Sequence, residues 1–373
     1  MKQRLLLIKP ASGNCNMRCK YCFYADETQS RKVQDFGIMS RETAHTVIER
    51  TLEEADDVVF SFQGGEPTLA SLDFFKDFVS YATSIKDKRI VHYSIQTNGY
   101  NIDREWAGFF HDNGFLVGLS MDGNKAIHDI YRHDHNGEGS FKKVFRTSQF
   151  FQAEKVDFNI LTTVTKDVAL NIKKLYAFFK KNGFRFQQYI ACIDPITEKR
   201  GSMDYSLTPE LYGEFLVTLF DLYFNDWKNE DFVSIRYFDN LVLKLAGLHV
   251  ESCGMLGFCP RNYVLEADGS VYPCDFYVLD EYRIGNLITD NFVCIDENRD
   301  KLRFTEKSCV IEDMCKTCAY FPICLGGCRR EREDFHSGEM ELSYFCPSYR
   351  YFFSHVLERI EYMGQKERES RGL

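Results

Sequence analysis

The stretch Cys15-Asn16-Met17-Arg18-Cys19-Lys20-Tyr21-Cys22, just after the apolar run Leu5–Ile8, decides how this chain is read. Thiolates normally hold all four irons of a cubane iron–sulfur cluster, and three cysteines in one tight loop cover only three of them. The fourth iron then takes a distant cysteine or stays open to a ligand, and an open position marks a metal site built for chemistry. A zinc knuckle and three unrelated core cysteines are the alternatives. Zinc loops usually pair cysteines as C-x2-4-C and need a nearby fourth ligand. None lies close, the next histidine being His45.

The rest of the composition narrows the field. A chain of 373 residues suggests two domains, at roughly 150 residues each. A formal net charge of −9 argues against a general nucleic-acid binder, which would carry a basic face. The run Leu5–Ile8 is too short for a secretory signal, and no stretch approaches the ~20 apolar residues of a membrane span. Fourteen cysteines without an export signal read as metal ligands rather than disulfides. A cytoplasmic chain with neither membrane nor nucleic-acid partner is expected.

Outward from the cysteine loop, short apolar runs alternate with amphipathic stretches. Strands are predicted at Leu5–Lys9, Val58–Gln63, Ile90–Gln96, Phe115–Ser120, Phe158–Val164 and Phe184–Ile190. Helices are predicted at Ser40–Glu54 (with Ser40 as N-cap), Leu72–Ile85, Arg104–Asn113, Phe141–Glu154 and Leu170–Asn182. Six strand–helix repeats imply parallel pairing through right-handed crossovers. An open (βα)6 barrel fits, with a doubly wound sheet as the alternative. Gln63-Gly64-Gly65-Glu66-Pro67, Gln96-Thr97-Asn98 and Ser120-Met121-Asp122-Gly123 fall at C-terminal strand ends, where parallel folds gather active sites. The second half changes character. A helix at Pro209–Asn225, the run Val233–Arg236 and a further helix to about Leu248 precede a cysteine-dense, loop-rich region. There Asp268-Gly269 signals a hairpin between Tyr263–Glu266 and Ser270–Tyr272. A domain boundary is placed after residue 236, giving 1–236 and 237–373.

That region holds Cys253, Cys259, Cys274, Cys315, Cys318, Cys324, Cys328 and Cys346, with Cys294 and Cys309 interspersed. Eight thiolates suffice for two fully ligated cubanes. Cys315 to Cys328 alone, C-x2-C-x5-C-x3-C, suits a structural zinc equally well. Cys192, Cys294 and Cys309 read as apolar thiols with no ligand role.

The C-x3-C-x2-C spacing with aromatic Tyr21 resembles the signature of radical S-adenosylmethionine (SAM) enzymes, and the second cysteine field resembles their SPASM extension. Across nearly its whole length the chain is similar to anaerobic sulfatase-maturating enzymes. The segments that carry this are Cys15–Tyr24, S-F-Q-G-G-E-P-T-L-A (Ser61–Ala70), Q-T-N-G (Gln96–Gly99) and V-G-L-S-M-D-G (Val117–Gly123). V-S-I-R-Y-F-D (Val233–Asp239), D-G-S-V-Y-P-C-D-F-Y-V-L-D (Asp268–Asp280) and G-G-C-R-R (Gly326–Arg330) complete the set. The glycine-glycine and serine-aspartate pieces are common to many radical SAM enzymes; C-D-F-Y-V-L-D discriminates far better.

The resemblance implies a partial (βα)6 TIM-like barrel with a C-terminal SPASM domain, three 4Fe-4S clusters and bound SAM. Cys15, Cys19 and Cys22 would hold the cluster that binds SAM. The auxiliary ligands would interleave as Cys253, Cys259, Cys274 and Cys328, and as Cys315, Cys318, Cys324 and Cys346. Gly64, Gly65 and Glu66 would receive the SAM amino group, although a lone G-G-E is more often a loop turn. Ser120 and Arg132 would bind its carboxylate, because a guanidinium fork matches that group. Tyr21, Phe23 and Ile193 would border the adenine. Tyr24, Gln63 and Arg236 would grip the substrate peptide.

The implied reaction oxidises a cysteine or serine of an unfolded or nascent sulfatase to formylglycine. Asp275, next to Cys274, would take the substrate proton while an auxiliary cluster takes the electron. An arbitrary Asp is more often a turn cap. A ferredoxin or flavodoxin is the expected electron donor, and a monomer the expected state. The alternative is another SPASM peptide maturase forming thioethers or crosslinks. Many of those carry an N-terminal leader-binding domain, for which a first strand by residue 5 leaves no room. A non-enzymatic iron–sulfur or zinc protein is a further alternative of a different class.

Overall fold

The computed structural model describes residues 2–373. It contains ten strands: β1 (Gln3–Ile8), β2 (Asp57–Phe62), β3 (Ile90–Thr97), β4 (Phe115–Ser120), β5 (Asp157–Val164), β6 (Phe186–Ala191), β7 (Ser234–Ile235), β8 (Tyr263–Leu265), β9 (Ser270–Tyr272) and β10 (Gly285–Asn286). All six strands predicted for the first half are present, with ends shifted by at most two residues. The chain divides into two compact units. The first comprises residues 1–121, 128–159 and 261–304, and the second residues 122–127, 160–260 and 305–373. They interleave along the sequence, so the division after residue 236 stays an expectation.

In the first unit the strand order is β10-β9-β8-β1-β2-β3-β4. β1 to β4 pair in parallel, with Leu6 opposite Phe60, Phe60 opposite Tyr93 and Tyr93 opposite Phe115. Their alternate residues bury against the helices Leu72–Ile85 and Arg104–Asp112. The core there is aromatic: Phe62 meets Phe75 edge-on at 4.9 Å, and Tyr93 stacks on Phe115 at 5.1 Å. Helix Arg41–Glu54 starts as its sequence signals, the Ser40 hydroxyl accepting from the Thr43 N–H.

The hairpin β8–β9 is antiparallel as expected. Its turn carries Gly269 at φ +82°, a left-handed conformation suited to glycine. Its placement was not legible in the sequence: β8 lies parallel to β1, with Leu6 opposite Tyr263 and Ile8 opposite Leu265. The Lys9 N–H extends that ladder to the Leu265 carbonyl at 2.8 Å. A segment from the cysteine-rich half thereby flanks the first strand.

In the second unit β5, β6 and β7 run in parallel. The helix expected at Leu170–Asn182 is Ile172–Lys181, and a separate short helix, Lys166–Leu170, precedes it, with Asn171 between them at φ −114°, ψ 15°. The Asn171 amide donates to the Asp167 carbonyl instead of continuing one helix. Helices Pro209–Lys228, Arg236–Leu245 and Cys346–Ser370 pack together through aromatic contacts such as Phe238 stacked on Phe352 at 5.8 Å. Among the described residues, no helix is long and apolar enough to cross a membrane.

Candidate functional site

The parallel register of β1 to β4 brings their C-terminal ends to one edge of the first unit. The cysteine loop follows β1 there and is fastened to the segment after β2: the Gly65 N–H donates to Ser12 O at 3.0 Å and the Glu66 N–H to Asn14 O at 2.7 Å. This approach is possible because residue 65 lacks a side chain. A Cβ there would lie 2.0 Å from the Asn14 carbonyl oxygen. Gly64 sits at φ +109°, and a Cβ on it would press on the Lys9 stem. The glycine pair thus holds the cysteine loop against the strand ends.

The Glu66 carboxylate is buried and already engaged. It accepts from the Thr68 N–H and hydroxyl, the Thr97 hydroxyl at 2.8 Å and the Asn98 N–H at 2.7 Å. Its side chain therefore ties the β2 end to the β3 end, a bracing role that the sequence reading missed. Asn98 in turn donates to Asn16 Oδ1 at 2.7 Å and approaches Cys15 Sγ at 3.6 Å. Arg132 is buried with its guanidinium 3.9 Å from Cys19 Sγ and over the Tyr21 ring. Tyr21 also meets Tyr131 edge-on. Ser120 closes β4 at the same edge. Phe23 packs on Tyr24 and on Phe276, with centroids 4.0 and 4.7 Å away.

Asp275 stands in this unit, one residue beyond Cys274 and just after β9. Its Oδ2 accepts from the Tyr24 hydroxyl at 2.6 Å across 251 residues of sequence. Gln63 Oε1 lies 3.2 Å from the same hydroxyl, whose single proton goes to the shorter contact. Burial first, and the Asp275 charge second, push the Tyr24 pKa well up, so it stays a proton donor. Asp275 Oδ1 has the Lys9 ammonium 3.3 Å away but no aligned hydrogen bond among the described residues. Lys9, which the sequence reading passed over, also pairs with Glu27 Oε2 at 3.3 Å. Burial alone would lower the Lys9 pKa; Glu27, Asp275 and Glu266 together raise it. Beside this group, Arg31 pairs with buried Glu266 at 2.5 Å.

The second unit gathers two more thiol sets. Cys315, Cys318, Cys324 and Cys346 line one cavity of about 250 Å3, with Arg332 and Tyr349 in its wall. Cys253, Cys259 and Cys328 form the other: all three thiols are pushed up by burial, and Cys328 further by Cys253 and Cys259. Cys274 belongs to the first unit. The Cys328 loop is held by buried charge. Arg200 donates to the carbonyls of Glu331, Arg330 and Glu333 at 2.8, 2.8 and 3.1 Å, and Arg329 forks onto Glu333 at 2.8 Å. Ile193 follows β6, and Arg236 is exposed beside Gln188 and Glu251. Cys192 is buried, whereas Cys294 and Cys309 are exposed, so the apolar-thiol reading fits only the first of them.

The donor sets fit iron–sulfur clusters. Burial raises the thiols of Cys15, Cys22 and Cys328, and of Cys324 to about 11, so thiolates there require the positive charge that cluster irons would bring. No three His, Cys, Asp or Glu side chains among the described residues converge as they would around a single metal ion. The thiols of Cys315, Cys318, Cys324 and Cys346 instead line one cavity.

Parallel strands ending in a three-cysteine loop, with a separate cysteine field, define a radical SAM enzyme. Residues 10–178 match the radical SAM superfamily and residues 253–319 an iron–sulfur cluster-binding domain of the SPASM type. A cysteine-type anaerobic sulfatase-maturating enzyme of Clostridium novyi is 46% identical, covering 98% of both chains. One from Clostridium perfringens is 44% identical over 95% of this chain and 96% of the relative. A serine-type enzyme of Bacteroides thetaiotaomicron is 30% identical over 98% and 92%. The solved structure of native anSMEcpe with bound AdoMet and Cp18Cys peptide superposes with a TM-score of 0.93 at 43% identity, covering 98% of this chain and 99% of that one. Streptococcus suis SuiB bound to its precursor peptide SuiA shares the fold at 15% identity, with a TM-score of 0.65 over 92% and 76%. The chain belongs to the anaerobic sulfatase-maturating enzymes, radical SAM oxidoreductases that generate formylglycine on a sulfatase.

Proposed function

We propose that this chain oxidises the cysteine of a C-x-P-x-R type sulfatase motif to formylglycine, with Asp275 as the base. One observation carries the assignment: a carboxylate adjacent to Cys274, a proposed cluster ligand, fixed through one oxygen by Tyr24 and approached at the other by Lys9. Cysteine rather than serine is favoured by 46% and 44% identity to cysteine-type relatives against 30% to a serine-type one. When bound, SAM and the clusters supply a radical that removes one Cβ hydrogen and an acceptor for one electron. Asp275 takes the remaining S–H proton, which leaves a thioaldehyde. Water then replaces its sulfur, giving formylglycine and hydrogen sulfide.

Cys15, Cys19 and Cys22 would hold the SAM-binding cluster. Cys253, Cys259, Cys274 and Cys328 would hold one auxiliary cluster, and Cys315, Cys318, Cys324 and Cys346 the other. Arg132 and Ser120 would take the SAM carboxylate. The backbone at Gly64 and Gly65 would face its amino group, with Glu66 bracing that wall rather than reaching out. Tyr21, Phe23 and Ile193 would border the adenine, while Tyr24, Gln63 and Arg236 would contact the peptide. Domains 1–236 and 237–373, a cytoplasmic monomer, a nascent sulfatase substrate and a ferredoxin or flavodoxin donor complete the reading.

The test is anaerobic turnover of a C-x-P-x-R peptide by wild type and Asp275→Asn. The variant should cleave SAM yet lose about 10²–10⁴-fold in formylglycine. Full product from Asp275→Asn would remove it as the base. A peptide crosslink in place of the aldehyde would instead favour a thioether-type maturase.

A further inference from the structure

We infer that Lys9 is a positioning residue for Asp275, joining the strand-end wall to the base through one buried side chain. Lys9 is 2% exposed and sits directly after β1. Its backbone N–H binds the Leu265 carbonyl, so the residue is anchored to the strand whose hairpin leads into Asp275. Its stem passes Gly64, where an added Cβ would stand 3.0 Å from Lys9 Cγ and 3.1 Å from Lys9 Cβ. Its ammonium lies 3.3 Å from Asp275 Oδ1, 3.3 Å from Glu27 Oε2 and 4.6 Å from the Tyr24 ring centroid.

Each contact has a physical consequence. A buried ammonium is unfavourable unless paired, and two carboxylates, Glu27 and Asp275, face it at the same distance of 3.3 Å. The Asp275 contact therefore serves both partners: it helps to hold the ammonium and it orients the carboxylate. Tyr24 fixes Oδ2 and Lys9 sits at Oδ1, so the carboxylate plane is held from both sides. With only Tyr24 left, Asp275 could swing about that single hydrogen bond, and proton transfer depends steeply on heavy-atom distance. Glu27 Oε2 holds the same ammonium at 3.3 Å, and the missing Cβ at Gly64 leaves room for the stem.

The inference rests on the proposed role of Asp275. Lys9→Met keeps the stem and deletes the charge. Lys9→Met/Glu27→Gln removes both ionisable groups and leaves no Glu27 carboxyl buried without its partner. Both are assayed anaerobically with SAM and a C-x-P-x-R peptide, scoring formylglycine, 5′-deoxyadenosine and iron. Each should lose at least ~10-fold in kcat, with KM for peptide within about twofold. The ratio of 5′-deoxyadenosine to formylglycine should rise above wild type. Lys9→Met/Asp275→Asn should be no slower than Asp275→Asn alone, because Lys9 acts through Asp275.

A wild-type ratio in either variant, or losses that multiply in the double variant with Asp275→Asn, would overturn the inference. Failure of both Lys9 variants to hold iron would overturn it too, making Lys9 a folding residue. Wild-type enzyme without formylglycine would instead sink the reading of Asp275.

Discussion

The two units hold their functional groups by different physics. In the first, the cysteine loop and its surroundings hang on the ends of parallel strands, and backbone hydrogen bonds such as Gly65 N–H to Ser12 O and Glu66 N–H to Asn14 O set their positions. In the second, Cys328 leads into a single short helix, Arg329–Arg332, whose end carbonyls lack helical partners, and side chains take over. Arg200 gathers three carbonyls, Arg329 forks onto Glu333, and Glu331 accepts from Ser343 at 2.9 Å and from Tyr349 at 3.1 Å. Buried carbonyls without a ladder need donors from elsewhere, and arginine supplies several from one planar group. A ladder-built site should fail when backbone approach is blocked; an arginine-built one should fail when a donor is removed.

The largest effect is expected at Gly65. Gly65→Ala would drive a Cβ into the Asn14 backbone and displace the cysteine loop. About four of twelve irons and all SAM cleavage should be lost, as iron assay and 5′-deoxyadenosine measurement would show. Retained cleavage would mean the loop is not held by that approach.

Arg200→Ala should act on the second unit only. Removing a charged donor from three carbonyls costs on the order of 2 kcal/mol, read as a lower thermal midpoint with SAM cleavage kept. A loss of SAM cleavage as complete as in Gly65→Ala would erase the contrast.

The smallest effect concerns pH and the first unit. Burial, opposed by Lys9, raises the Glu27 pKa from 4.5 to about 8. A carboxyl raised by folding takes up a proton on folding. Its contribution is thus full below pH 4.5 and lost as pH rises through about 8. Glu27→Gln should flatten the decline of the thermal midpoint across that window; an unchanged slope would place the proton elsewhere.

The strand-helix repeat, the Ser40 cap and the strand-end polar segments were legible because each rests on local spacing. The second cysteine field was legible as a cysteine-dense region, though its two-set division came from resemblance. Contacts across long sequence separations were not readable. Lys9 looks like an ordinary lysine closing a strand, and only the parallel docking of β8 on β1 reveals its partner. Glu66 reads as a ligand-facing carboxylate until its four donors are seen. Arg329, Arg330 and Arg332 are all buried, whereas arginines are read as solvated by default. Cys294 and Cys309 run the other way, since a thiol defaults to the interior and these are exposed.

The most direct test of the central claim is product mass spectrometry on paired C-x-P-x-R and S-x-P-x-R peptides, incubated anaerobically with reconstituted enzyme, SAM and reductant. Formylglycine on the cysteine peptide, formed faster than on the serine peptide and lost in Asp275→Asn, is the predicted result. Formation of 5′-deoxyadenosine with neither peptide converted to the aldehyde would contradict it.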